Sequence, residues 1–450
     1  MDGGARSKGG SIGRDRCRIG GVQAGIGVKV GLLVPNKGWL QKINHGSKDR
    51  IPYYTKKGKT MCPFGIQYLD KFVGPNQFFS LTRMLPMEGC TQFFFFCDLS
   101  PKFFLHRQTH LYCFGTEQHG NDDLRSFVCA DDESPTLLDT IILSQWDGFA
   151  WKGHLDYDVT ACKLKVIEGG RNFVIQLNDN WNSFTLKEYD KFIKAFGCLK
   201  PNVMKSYEGL LLCIAQGEKD RPEVVPSTSP PKDGLLLIAN AYPVEYGHIF
   251  MVPSAINQLS CTWDKRMLGL AAKIAFEVNN AAFRVFFDNG TSVVPGSMLF
   301  QACYFANPLP VESASTVTVY DGKARSGITV SELVDYPLKA LIFASNNLKA
   351  LVNVVSEISF SLHGDTMAYS LLISNNGTKI FLFPQVKNLV TGWSLSAWEC
   401  GGYFIYHTKY DFDKCSESEI SNRMASVSLQ DGAFEDLKHL CCAVVDDVVM

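Results

Sequence analysis

GLLLIANAYPVEYGHIFMVP (234–253), DKRMLGLAAKIAFEVNN (264–280) and FRVFFDN (283–289) decide the fold. The first stretch holds two apolar runs of strand length, GLLLIAN and YGHIFMVP, separated by a short break, and reads as two buried strands. The second has helical spacing. Asp264 stands at the N-cap, and Met267, Leu268, Leu270, Ala271, Ile274 and Ala275 form one apolar stripe. FRVFFDN and SMLFQACYF (297–305) then return to strand character. Strands and helices in mixed order, with hairpin-like strand pairs, predict an α+β protein with antiparallel sheet.

Working outward, TLLDTIILSQWDGFAWKG (136–153) reads as a helix with Leu137, Ile141, Ile142 and Trp146 near one face. YDVTACKLKVI (157–167) and RNFVIQL (171–177) alternate like paired strands, with Glu168-Gly169-Gly170 as their turn. DRPEVVPSTSPPKDG (220–234) is a loop rich in proline, serine and charge. Downstream, ALIFASNNLKALVNVVSEISFSLHG (340–364) gives strand then helix. YSLLISNNGTKIFLFPQ (369–385) is a hairpin turning at Asn-Asn-Gly, and residues 418–445 supply terminal helices.

The chain has 450 residues, 46% hydrophobic and 20% charged, which excludes a mainly disordered or collagen-like protein. No apolar run reaches the roughly 18 residues of a membrane span, so no membrane partner is expected. Formal net charge is −1, but residues 1–60 hold 13 Lys/Arg against 3 Asp/Glu, a net of +10, leaving −11 for the rest. A near-neutral whole argues against a dedicated nucleic-acid binder. A basic arm with Trp39, Tyr53 and Tyr54 among Lys37, Lys42, Lys56 and Lys57 is the one feature that would suit single strands. The first 21 residues lack the apolar core of a secretory signal, so a reducing compartment and free thiols are expected for the 15 cysteines. No CxxC pair occurs. His106 and His110 lie four apart, but Arg107 stands where a zinc protease needs glutamate. Neither a metal nor a cofactor is expected.

IANAYPVEYGHIFMVP (238–253), the helix after Trp263 and SMLFQACYFANPLPVE (297–312) resemble the plant GDP-L-galactose phosphorylases of the histidine-triad superfamily. LDYDVTACKLKVI (155–167), QLN (176–178), VSELVDYP (330–337), LLISNNGTKIFLFPQ (371–385) and AWE (397–399) support the resemblance, which covers about 136–440. It implies an α+β fold of galactose-1-phosphate uridylyltransferase type, with two histidine-triad-like lobes of antiparallel sheet and packed helices. The expected partition is a divergent region 1–130, a first lobe 131–235, a second lobe 236–440 and a tail 441–450. It also implies phosphorolysis of a GDP-hexose to the hexose 1-phosphate and GDP, a cytoplasmic location with the nucleus as a second compartment, and GDP or a GDP-hexose as ligand. A neutral imidazole with a free lone pair attacks the α-phosphorus in that chemistry.

The family carries these groups in His-Leu-His-Phe-Gln, matched here by Ser297-Met298-Leu299-Phe300-Gln301. The nucleophile position is therefore Leu299 and its partner Ser297. Leucine has no lone pair, and losing a nucleophile costs on the order of 10⁶ in rate. The resemblance thus predicts a catalytically impaired member, with an active paralogue as a candidate partner. An active enzyme using another residue, such as His248, is one alternative, and a non-enzymatic scaffold that binds a partner or nucleic acid through the basic N-terminus is the other. The family's Gly-His after Trp-Glu becomes Gly402-Tyr403. Gly247-His248 matches a family pair at a strand end, and Gln301 matches a glutamine near the reacting phosphate. Each has two open roles, lining the site or satisfying a strand. Asp158, Thr160 and Asn178 match first-lobe positions open to a nucleotide contact or to turn roles. Asn289 falls in the polar loop before the degenerate motif.

Overall fold

β6 (Leu235–Ala239) and β7 (Tyr246–Pro253) are buried along their whole length, as two continuous apolar runs require of central strands. Helix α2 (Lys265–Val278) follows. The Asp264 side chain accepts the Arg266 N–H at its start, and Asn279 closes it in the left-handed region at φ 46°. Its buried stripe contains Met267, Leu268, Ala271, Ile274 and Ala275, with Leu270 half-buried beside it. β8 (Phe283–Asp288) and β9 (Phe300–Tyr304) complete a four-strand unit in the order β8-β9-β7-β6.

The same arrangement occurs a second time. β11 (Ile328–Leu333), β12 (Leu341–Ser345), helix α3 (Leu348–Gly364), β13 (Ala368–Ser374) and β14 (Lys379–Gln385) give the order β11-β12-β14-β13. The hairpin between β13 and β14 turns through Asn375, Asn376 and Gly377 at φ 49°, 53° and 83°, the positive angles that Asn-Gly chemistry favours. The two units meet edge to edge, β8 antiparallel to β13, with Val285 opposite Ile373 and Asp288 opposite Ser370. The result is one twelve-stranded sheet. β10 (Thr316–Asp321) forms one border. β4 (Leu210–Gln216), β1 (Thr109–Phe114) and β5 (Glu223–Ser227) extend the other, with β1 inserted between β4 and β5.

The computed structural model describes residues 109–116, 135–181, 209–227, 231–254, 263–289, 299–322, 327–364, 367–386 and 394–449. All belong to the unit Pro75–Met450; the other unit, Met1–Gly74, lies wholly outside the described residues. Alternation of side chains along the strands builds two cores. On one face, Ile249, Met251, Val285, Phe287, Phe300, Ala302 and Leu371 pack under helix α1 (Leu137–Trp151), α2, α3 and helix α7 (Asp431–Val449). On the other, Phe286, Cys303, Leu372, Phe381 and Phe383 pack under a three-stranded sheet in the order β15-β3-β2. Its strands are β2 (Lys163–Val166), β3 (Val174–Leu177) and β15 (Tyr403–Tyr406), backed by the short helices α4 (Ala397–Cys400), α5 (Lys409–Lys414) and α6 (Glu417–Ala425).

The α+β reading holds, with four corrections, the first being that the stretch 220–234 expected as a loop contains strand β5 (Glu223–Ser227). The sheets are mostly antiparallel, yet β1 runs parallel to β4, and β15 parallel to β3. The strand expected from residue 157 begins only at Lys163, because Asp158 caps a 3₁₀ turn at Val159–Ala161 instead. Finally, the two units share a single sheet rather than standing as separate lobes. Both units begin after Gly234, so the boundary expected at 235/236 falls one residue into β6 and puts both units in the expected second lobe, and β1, from the region expected to be unmatched, is an interior strand. Among the described cysteines, Cys213, Cys303, Cys400, Cys415 and Cys441 are buried free thiols. No helix among the described residues is long and apolar enough to cross a membrane.

Candidate functional site

Gly247 places the histidine. Between the pairs Tyr246–Tyr304 and Ile249–Ala302, β7 spends one residue more than β9, which is a β-bulge. Gly247 sits in it at φ 70°, and a Cβ built there would lie 2.5 Å from the Tyr304 ring. Only glycine fits, and the bulge sets the direction of the next side chain, His248.

His248 is buried, and both its ring nitrogens are engaged. Nδ1 accepts the Val244 backbone N–H at 3.0 Å and lies 3.2 Å from Asn240 Nδ2. Since Nδ1 accepts, the neutral ring carries its proton on Nε2, 3.0 Å from Gln301 Oε1 on β9. Burial pushes the His248 pKa down to about 4, with the Gln301 hydrogen bond pulling weakly the other way. The ring is therefore neutral at pH 7 with no free lone pair. Trp398 and Phe250 flank it, ring centroids 6.3 Å and 5.7 Å away.

Gln301 is half-buried, and its amide nitrogen has no partner among the described residues. Leu299 is buried just ahead of β9. Phe300 belongs to the core under the helices, so Leu299 and Gln301 alternate onto the opposite face. The second unit fills the corresponding strands with Ile342, Phe381 and Phe383, the two phenylalanine rings stacked 6.0 Å apart. It has no counterpart of the His248–Gln301 pair among the described residues.

Asp158, Asn178 and Lys163 line a separate cleft of about 400 Å³, with Asp179, His407 and Lys409. Asp158 Oδ1 accepts both the N–H and the hydroxyl of Thr160, at 2.9 and 2.6 Å. Asn178 Oδ1 accepts the N–H groups of Asn180 and Trp181, and its Nδ2 reaches Gln176 Oε1 at 3.4 Å. Asn289 is tied to β13, its Nδ2 donating to the Met367 carbonyl and its N–H to the Tyr369 carbonyl. Among the expected site residues, His248 and Gln301 come together, Asp158 with Thr160 and Asn178 gather elsewhere, and Asn289 touches neither group. Ser297 lies outside the described residues, as do Trp39, Tyr53, Tyr54 and the lysines among them.

Two further titratable groups are buried. Asp288 is buried at the end of β8, where Oδ1 accepts the Ala397 N–H at 2.7 Å, and burial raises its pKa to about 7. Tyr403, where the resemblance places a family histidine, is buried too. Its hydroxyl donates to Glu245 Oε1 at 2.8 Å and accepts from Gln176 at 3.0 Å. No group of three or more potential metal ligands occurs among the described residues.

A mixed α+β sheet built from two like units, with a neutral histidine set against a glutamine on one of them, defines the class of protein. The chain belongs to the GDPGP1-like family, matching its N-terminal domain over residues 137–303 and its C-terminal domain over 310–448. It is 30% identical over 339 residues to GDP-L-galactose phosphorylase 2 of Arabidopsis thaliana, covering 70% of this chain and 78% of that one. It is 22% identical to human GDP-D-glucose phosphorylase 1, covering 68% and 84% of the two chains. Among solved structures it is similar to yeast Ap4A phosphorylase Apa2 in complex with AMP, at a TM-score of 0.44 and 12% identity over 65% of this chain and 96% of that one.

Proposed function

We propose that this chain is a GDP-hexose phosphorylase-like protein that keeps the family's ligand-binding frame and lacks its covalent step. The observation that carries the reading is Leu299. It occupies the position where the resemblance puts the nucleophilic imidazole, two residues before a retained Gln301 on the same face. A hydrocarbon side chain cannot attack phosphorus, so no nucleotidyl intermediate forms there. Ser297, at the partner position, is a poor nucleophile without an adjacent base.

His248 is a weak substitute. Its Nδ1 lone pair accepts a backbone N–H and its Nε2 proton goes to Gln301, so attack would require breaking one of these buried contacts. What the frame retains is a polar donor, the Gln301 amide, set against His248, which Trp398 flanks. Such a site suits a phosphoryl oxygen of GDP or a GDP-hexose. The galactose-1-phosphate uridylyltransferase fold type belongs to the same reading, as does a role beside an active paralogue.

The test follows GDP release from GDP-L-galactose plus inorganic phosphate, and GDP binding by calorimetry on the same preparation. Binding without release is expected. Release that tracks the protein and vanishes in His248→Ala would overturn the reading in favour of an active enzyme.

A further inference from the structure

Asp288 stands on the same face of the sheet as Gln301. Between β8 and β9, Phe286 is opposite Gln301 and Phe287 opposite Phe300. Continuing that register brings Asp288 opposite Leu299. Residues directly opposite one another share a face, and so do residues two apart along a strand. Asp288 and Leu299 therefore form the row next to Phe286 and Gln301. Diagonal neighbours of this kind, such as Asp288 and Gln301, lie about 7 to 8 Å apart.

The surroundings of Asp288 do not compensate a charge. Its Oδ1 accepts the Ala397 N–H at 2.7 Å, and Ser370, opposite it on β13, is a further hydrogen-bond partner. The titratable groups that face it come from α4. They are Glu399, paired with Arg423, and the buried Cys400 thiol. Neither is a cation. The cation on β8 itself, Arg284, is four residues back and paired with Glu312 at 2.8 Å. Burial, with Glu399 adding to it, pushes the Asp288 pKa up to about 7, so the proton comes and goes near neutral pH. His248, on the other side of Gln301, stays neutral there because burial holds it near 4.

We propose that Asp288 sets the charge that the Gln301 site tolerates: as the neutral acid it admits a phosphoryl anion beside the amide, and as the carboxylate it repels one. The ligand side of this inference rests on the functional reading above. No contact between Asp288 and the ligand is needed. At an effective dielectric of about 20, two unit charges about 7 to 8 Å apart change an affinity by more than about tenfold. The effect is reciprocal. A bound anion holds the proton on Asp288 more tightly, so binding above neutral pH transfers a proton from solution to the carboxylate.

The experiment measures the affinity of the full chain for GDP-L-galactose, without inorganic phosphate, by calorimetry at pH 6, 7 and 8. Both phosphates of that ligand are esterified or bridged, so its charge is constant over this range. Wild-type affinity should fall about tenfold from pH 6 to pH 8. Asp288→Asn should keep one affinity throughout, close to that of wild type at pH 6. Titrations elsewhere are common to the two proteins and cancel. A merely structural aspartate would weaken the variant equally at every pH, and such parallel profiles would overturn the proposal.

Wild type alone supplies a second readout, which holds even if Asp288→Asn does not fold. Calorimetry at pH 7.5 in two buffers of different ionisation enthalpy counts the protons taken up on binding. About half a proton per ligand is expected, and none refutes the inference. Should wild type bind no GDP-L-galactose even at pH 6, the functional reading fails and this inference with it. Binding that is flat from pH 6 to pH 8 overturns this inference alone.

Discussion

Replacing Asp288 by asparagine should change how the stability of the protein depends on pH. Asp288 is buried at the junction of the two units, opposite Ser370, and burial raises its pKa from 3.8 to about 7. The folded protein then keeps a proton that the unfolded chain gives up near pH 4. Wherever the folded state binds more protons, stability falls as pH rises, so this group is most favourable below pH 4 and its contribution is lost by about pH 7. The gap between 3.8 and about 7 corresponds to roughly 4 kcal/mol, of which roughly 2 to 3 kcal/mol falls between pH 5 and pH 8. Asparagine can still accept the Ala397 N–H through its amide oxygen and does not titrate. Denaturant unfolding of both proteins at pH 5, 6, 7 and 8 gives the difference directly, with all other titrating groups cancelling. Asp288→Asn should gain about 2 to 3 kcal/mol on wild type across that range. A difference that stays constant with pH would refute the reasoning, because it would mean that Asp288 is ionised throughout.

Three other outcomes are expected. Leu299→His combined with Ser297→His should restore GDP release from a GDP-hexose and phosphate; a folded, soluble double variant with no release would show that the pocket itself has changed. Gly247→Ala should destabilise the fold by about 2 kcal/mol or more, read as a lower denaturant midpoint, since its Cβ would meet the Tyr304 ring at 2.5 Å in a left-handed backbone. His248, held near pKa 4, should show no titration of its ring between pH 5 and pH 8 by NMR, and its contribution to stability should rise with pH from about 4 to 6.5, because there the unfolded chain binds the extra proton.

The parts of the fold that were legible in the sequence are those whose causes are local. α2 announces itself through its stripe and the Asp264 cap, and the β13–β14 turn through Asn-Asn-Gly. The joining of β8 to β13 was not legible, because two strands that pair across a long separation carry no mark of it in either one. The place of β1 between β4 and β5 was not legible for the same reason, since its parallel partner β4 lies about a hundred residues on. At the site, His248 and Gln301 could be named from sequence, but the bulge that aims His248 depends on contact with Tyr304. Val244 could not be found at all: its contribution is a backbone N–H, which every residue except proline has. Asp158 and Asn178 show the opposite difficulty, since the oxygen that would suit a ligand is the same one that caps a turn.

The position of β1 bears on how the protein can be trimmed for study. β4 and β5 do not pair with each other; Thr109–Phe114 fills the gap, parallel to one and antiparallel to the other. A chain cut back to residue 137, where the family match begins, would lose more than a tail. It would open two facing rows of unpaired backbone groups along Leu210–Gln216 and Glu223–Ser227, wide enough for a strand from a neighbouring molecule to enter. Aggregation of such a fragment would therefore report a missing strand rather than an unstable domain, and supplying residues 109–116 in trans would be the remedy.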